Sequence, residues 1–137
     1  MSVEENKSVV RRFFELLTNG DGEGALALID DNVRWWVGGQ PDYFALAGNK
    51  TKSQFAELLS VVEGALPNGI QLTITGMTAE GDRVAVEVTA RGEAPTGEVY
   101  NNRYHDLLIL RNGKIVVGHE YLDPMPAQEI LVKLGSR

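Results

Sequence analysis

The chain has 137 residues, 43% apolar and 23% charged, so it is long enough for one ordinary core and too apolar to be disordered. A formal net charge of −6 argues against a nucleic-acid partner, because no Lys/Arg cluster is available to neutralise phosphates. The absence of cysteine excludes disulfides, thiolate catalysis and Cys-ligated zinc, and two histidines alone do not make a metal site. No metal and no cofactor are therefore expected. A basic leader followed by an apolar run is missing, and no uncharged stretch reaches membrane length, so the chain reads as a soluble cytoplasmic protein.

Ser2 and Glu5 have the form of a capping box, and the helix they open runs to about Thr18. Val9, Val10, Phe13, Phe14 and Leu17 form its apolar stripe, and Asn19-Gly20-Asp21 stops it. A short second helix carries Ala25, Leu28 and Ile29 inward and breaks at Asp30-Asp31-Asn32. Val33 to Val37 is a short strand holding both tryptophans, and Gly38 to Lys50 is a loop. Thr51 and Gln54 open a third helix, on which Phe55, Leu58, Leu59 and Val62 share a face.

From Ile70 the period becomes two, with Ile70, Leu72 and Ile74 on one face of a strand. After the Gly81-Asp82 turn, Val84, Val86, Val88 and Ala90 alternate with Ala85, Glu87, Thr89 and Arg91. Two long strands then flank Asn112-Gly113, a pair that accepts the positive φ of a type I′ hairpin turn. They hold both histidines, two of the four tyrosines and several carboxylates, so ionisable groups gather on rigid sheet. The tail from Pro124 closes with a short helix through Ala127, Ile130, Leu131 and Leu134. Helices followed by an antiparallel meander give a single α+β domain over residues 1–137.

FFELLTNGDGEGALALIDDNVRWWV at Phe13–Val37, VAVEV at Val84–Val88, YNNRY and GKIVVGHEYLD together give the chain a resemblance to SnoaL-like, ketosteroid-isomerase-related proteins of the nuclear-transport-factor-two-like superfamily. The resemblance spans essentially the whole chain. It implies a cystatin-like cone, with N-terminal helices packed in the concave face of a curved, mixed or antiparallel sheet. Isomerases of the superfamily carry a carboxylate base at the end of the first strand, near Trp35-Trp36, and this chain has none there. Limonene-epoxide-hydrolase-like members use an Asp-Arg-Asp set across two strands. Here Glu120 matches one acid, while Glu87 and Thr89 stand where Arg and Asp belong.

On that alignment Glu120 points into the cavity with Gly118 and Leu122, and so do Glu87, Thr89, Arg91, Asn102, Tyr104 and Asp106. The candidate catalytic pair is Glu120 and Glu87, beside Arg91, Asn102, Tyr104 and Leu122, with Trp36 as an apolar wall and Tyr43 at the rim. Two acids in a half-buried site repel, so one holds a proton while the other is ionised, which supplies a general acid and a general base. The implied function is a small-molecule-binding protein: a cofactor-free isomerase, hydrolase or cyclase acting on a small apolar organic molecule, and a homodimer through the sheet face. A non-catalytic ligand-binding or dimerisation module stays open. A pocket below ~300 Å³ with its carboxylates fully paired favours that second reading. Glu87 and Arg91 also have a plain structural reading as an ion pair. A one-residue change of register would exchange the faces and make His105, His119 and Asp123 the site.

Overall fold

The computed structural model describes residues 1–135. Helix α1 spans Val3–Thr18, and Ser2 and Glu5 form the reciprocal capping box that the sequence predicts. Its core face carries Val10, Phe13 and Phe14, while Leu17 is only half-buried. Helix α2, Gly22–Ala27, is capped by the Asp21 carboxylate on the Gly24 amide. Helix α3, Lys52–Ala65, starts from the Thr51/Gln54 capping box and buries Phe55, Leu58 and Ala65.

Strand β1 runs Ile29–Val37, four residues longer at its start than the sequence reading, so Asp30-Asp31-Asn32 opens a strand and does not break a helix. Those polar residues project from the sheet, where Asp31 pairs with Lys52 at 3.1 Å. A short strand β2, Gly48–Lys50, lies inside the segment read as loop and pairs antiparallel with β1, Trp35 opposite Lys50. The same loop is tied down by the Ala45 backbone N–H, which donates to the Gln128 side chain at 2.8 Å. Strands β3 (Gln71–Glu80), β4 (Arg83–Glu93), β5 (Val99–Arg111) and β6 (Lys114–Leu122) form the meander. Asn112 and Gly113 take φ of +52° and +77°, as the hairpin signal requires. The C-terminal segment is helical from Pro124–Pro126, widens into a π-helix over Ala127–Val132 and ends at Lys133–Gly135.

The six strands lie in the order β2-β1-β6-β5-β4-β3, and β1 joins β6 in parallel, which makes the sheet mixed. Helices α1 and α3 lie against one face of the sheet, α1 on β3 and β4 and α3 on β1 and β2. The core between these layers holds Phe13, Phe55, Trp35, Tyr100, Leu108 and Ile115, all essentially without solvent contact.

Two details of register decide which side chains face that core. On β4 the pairs Val86–Asp106 and Val88–Tyr104 look inward, so Val84, Val86, Val88 and Ala90 are buried. On β6 the ladder with β5 slips by one residue: Leu110 pairs with Ile115, but Ile109 pairs with Val117, which leaves Val116 without a partner. This bulge turns the strand over. Beyond it Gly118 and Glu120 are buried, whereas an unbroken ladder from the turn would have put Val117, His119 and Tyr121 on the inner face.

Candidate functional site

A cavity of about 330 Å³ lies between α1, α3 and the sheet. Phe13, Phe14 and Leu17 of α1, Phe55, Leu58 and Leu59 of α3, and Trp35 of β1 make its walls. That Leu17 lines a cavity explains why it is not sealed in the core. The polar groups on the sheet side are Tyr104, Asp106 and Glu120. The turns at Gly20–Gly22 and Pro67–Ile70 complete the lining, and most of their residues are exposed.

Asp106 of β5 and Glu120 of β6 stand directly opposite one another across the two strands, 2% and 8% exposed respectively. Side chains of a directly opposed antiparallel pair are within reach of each other on the same face. One Glu120 oxygen accepts a hydrogen bond from the Trp35 indole Nε1–H at 3.0 Å. The Asp106 Oδ1 is buried with no hydrogen-bond partner among the described residues. A buried acceptor left unpaired costs about 1–3 kcal/mol, so the fold tolerates this group against its own stability.

The protonation of the pair follows from these surroundings. Burial raises the Glu120 carboxyl to about 7, against the opposing pull of the Trp35 N–H and the Lys50 ammonium. Burial, reinforced by the neighbouring Glu120 charge, lifts Asp106 well above the usual carboxylate range, and only the Tyr121 backbone amide works against this. Near neutrality the two acids hold at least one proton between them, and they titrate as a pair. Beside them Tyr104 shares a 2.5 Å hydrogen bond with Tyr100, whose hydroxyl also accepts from Asn102 Nδ2. Burial keeps both phenols neutral, that of Tyr100 pushed up to about 12.

Several predicted site residues lie elsewhere. Glu87 is exposed on the opposite face, with His105 as its cross-strand neighbour, and Arg91 is exposed with it. The reason is the hydrophobic row on β4: turning Glu87 inward would have driven Val84, Val86, Val88 and Ala90 into solvent. The expected Glu87–Arg91 ion pair is likewise replaced, since Arg91 pairs with Glu93 at 3.5 Å. Trp36 belongs to the outer face, edge-on to Tyr121 and His119 at ring-centre distances of 5.2 and 6.0 Å. Tyr43 is 59% exposed and touches no part of the cavity. Leu122 packs at the border of the core outside the cavity lining.

Asn102 does face inward and is buried, but its amide is spent on the Tyr100 hydroxyl, the Asp123 carbonyl and the Asp123 and Arg103 amides. Tyr104 and Glu120 line the cavity as expected. His105 and His119 face away from it, which removes the alternative register. The residues that reading the sequence passed over are Asp106, placed inward without a role, and Trp35, given no role in the site. The alternation within β5, which puts Asp106 on one face with Leu108 and Leu110, was the available signal for Asp106; nothing in the sequence marks the Trp35 indole as a donor.

Among the described residues no three His, Asp or Glu side chains converge to hold a metal ion. Among the described residues no helix is long and apolar enough to cross a membrane.

This arrangement of helices over one face of a mixed, curved six-stranded sheet is that of the NTF2-like proteins. One such structure, an NTF2-like protein of unknown function from Burkholderia pseudomallei, superposes with a TM-score of 0.78 at 22% identity, over 96% of this chain and 98% of that one. TerC, co-crystallised with polyporic acid, gives a TM-score of 0.79 at 22% identity, over 93% and 98%. IdmH of Streptomyces antibioticus, proposed to be a polyketide cyclase, gives 0.76 at 19% identity, over 95% and 98%. At such identities the likeness concerns the fold. The SnoaL-like domain matches residues 10–118, and the chain belongs to the SnoaL-like family. No curated protein matches it.

Proposed function

We propose that the protein binds a small, largely apolar, uncharged organic molecule in the cavity and acts on it by cofactor-free acid–base chemistry through Asp106 and Glu120. The observation that carries this reading is the opposed pair of buried acids, one oxygen unpaired, at the wall of an otherwise apolar hollow. A proton shared between two such groups lets one donate while the other accepts, and burial brings Glu120 to about 7 and lifts Asp106 well above the usual carboxylate range. Phe13, Phe14, Phe55 and Trp35 suit an aromatic or alicyclic skeleton, and among the described residues no Lys, Arg or His lines the cavity to receive an anion. Glu87, expected as the second acid, has no part in this mechanism; Asp106 takes its place.

The reading as a purely non-catalytic module predicted a smaller cavity and fully paired carboxylates. A volume of about 330 Å³ and the bare Asp106 Oδ1 favour a working site over that alternative. On the outer face, Trp36 meets His119 and Tyr121 edge-on, Tyr121 is 48% exposed, and this aromatic patch supports pairing of two copies through the sheet.

Binding is tested with neutral bicyclic ketones, 2-tetralone first, followed by quenching of Trp35 in a Trp36→Phe background. Chemistry is tested by α-proton exchange of the same ketones in D2O, read by NMR. Wild type should accelerate exchange, and Glu120→Gln should lose at least about 100-fold of that acceleration while still binding, as removal of a general base does. Exchange that is equally fast in the Gln variant would refute the catalytic role. Absence of quenching by every neutral ketone would refute the cavity's.

A further inference from the structure

We propose that Trp35 is a positioning residue that makes Glu120, and not Asp106, the negatively charged member of the pair, and that the bare backbone of Gly118 is what lets it do so. The inference deepens the acid–base reading above and rests on it for its catalytic meaning, though not for its test.

Trp35 and Gly118 are direct neighbours across the parallel β1–β6 ladder, and Glu120 is the next residue of β6 on the same face. Trp35 is 2% exposed, wedged between Phe13 and Phe55, with its ring centre 4.4 Å from that of Phe55. A side chain on Gly118 would overlap the six-membered ring of the indole. With none there, the ring lies across the strand and reaches Glu120 with Nε1 at 3.0 Å. An indole N–H is a donor only. It therefore steadies a carboxylate oxygen more than a neutral carboxyl, and it serves one acid of the two. Asp106 has no such donor on Oδ1 and is left as the member that keeps the proton. Lys50 acts on Glu120 in the same sense, and the Tyr121 backbone amide works for the Asp106 carboxylate, but the indole is the side-chain donor that packing holds rigid on one acid of the two, and it tips the pair.

The ionisable groups that face Glu120 are Asp106, Tyr100 and Tyr104 from β5, Lys50 from β2 and, across the cavity, Glu63 of α3. Helix α1 presents only apolar side chains to the cavity. None of the others donates a hydrogen bond to the Glu120 carboxyl.

The test needs no ligand. In wild type, the Trp35 indole 15N–1H resonance, assigned by its loss in Trp35→Phe, should move with a transition near pH 7, and Glu120→Gln should abolish that movement. Carboxyl C=O bands followed by infrared titration, assigned with Glu120→Gln and Asp106→Asn, should show Glu120 ionising before Asp106. Trp35→Phe should raise the Glu120 transition by about one pH unit or more, the scale of one hydrogen bond to a charged group. Gly118→Ala should reproduce the rise, and the double variant should add nothing to it. An indole resonance insensitive to Glu120, or a Glu120 transition unmoved in a folded Trp35→Phe, overturns the inference and leaves the ligand reading intact. Failure of every ketone to bind, with these titrations as described, does the reverse.

Discussion

Strands β4 and β6 each carry a glutamate in an apolar run, yet Glu87 ends exposed and Glu120 ends at the cavity wall. On β4 the matter is settled by a strict row of four small or β-branched residues, Val84, Val86, Val88 and Ala90, which can all be buried only if Glu87 is not. On β6 no such row exists. Ile115 is buried, Val116 and Val117 are half-buried, and a single unpaired residue at the bulge flips the remainder of the strand. The lesson is that hydrophobic pattern fixes a strand's facing where it is continuous, and that a local insertion fixes it where the pattern is weak.

The sharpest way to break the comparison is to interrupt the β4 row with Val86→Asp. The new carboxyl would be buried opposite Asp106 unless the strand turned over, which would carry Glu87 inward and expose the other valines. Either outcome should cost more than about 4 kcal/mol, so chemical denaturation should find the variant unfolded or nearly so. A cooperative transition of wild-type midpoint would show that the row does not set the face.

The next effect is smaller and depends on pH. Glu120 is raised from 4.5 to about 7 by burial, so the folded chain binds more protons than the unfolded chain between those values. Stability should accordingly decline as pH climbs through that window, by up to about 3 kcal/mol for this group alone. Asp106, also raised by burial, should add to the decline in the same sense. Glu120→Gln should flatten the profile and melt higher than wild type at pH 8.5, with little difference at pH 4. Melting curves that rise from pH 5 to 8 would contradict this.

The smallest effect sharpens the contrast from the other side. Glu87→Gln changes an exposed group that has no ion-pair partner among the described residues, so its unfolding free energy should stay within about 0.5 kcal/mol of wild type. A pH-dependent change as large as that of Glu120→Gln would place Glu87 back among the coupled acids.

Much of the fold was legible because its signals are local. Two capping boxes, the Asn112-Gly113 turn and the apolar stripe on α1 each specify their element with few residues. What escaped is non-local. Strand β2 has three residues, Gly48–Lys50, and exists only because β1 offers it an edge. Ile29 reads equally well as the end of a helix or the start of a strand, and its pairing beside Ile115 decides. The site was half legible. Glu120 and Tyr104 were placed correctly, but Glu87 and Arg91 were turned inward by a family alignment that the valine row of β4 contradicted. The Trp35 bond to Glu120 spans 85 positions and leaves no trace in either neighbourhood.

The long loop between β1 and β2 is anchored to the C-terminal segment through Ala45 and Gln128 and touches no part of the cavity, so it is no hatch. Most of the exposed lining belongs to the two turns at Gly20–Gly22 and Pro67–Ile70, where Gly20 and Gly69 have φ of +76° and +107°. Such an aperture is framed by main chain that side-chain replacement cannot trim without strain. The girth of molecule it admits is therefore written in the lengths of those two turns.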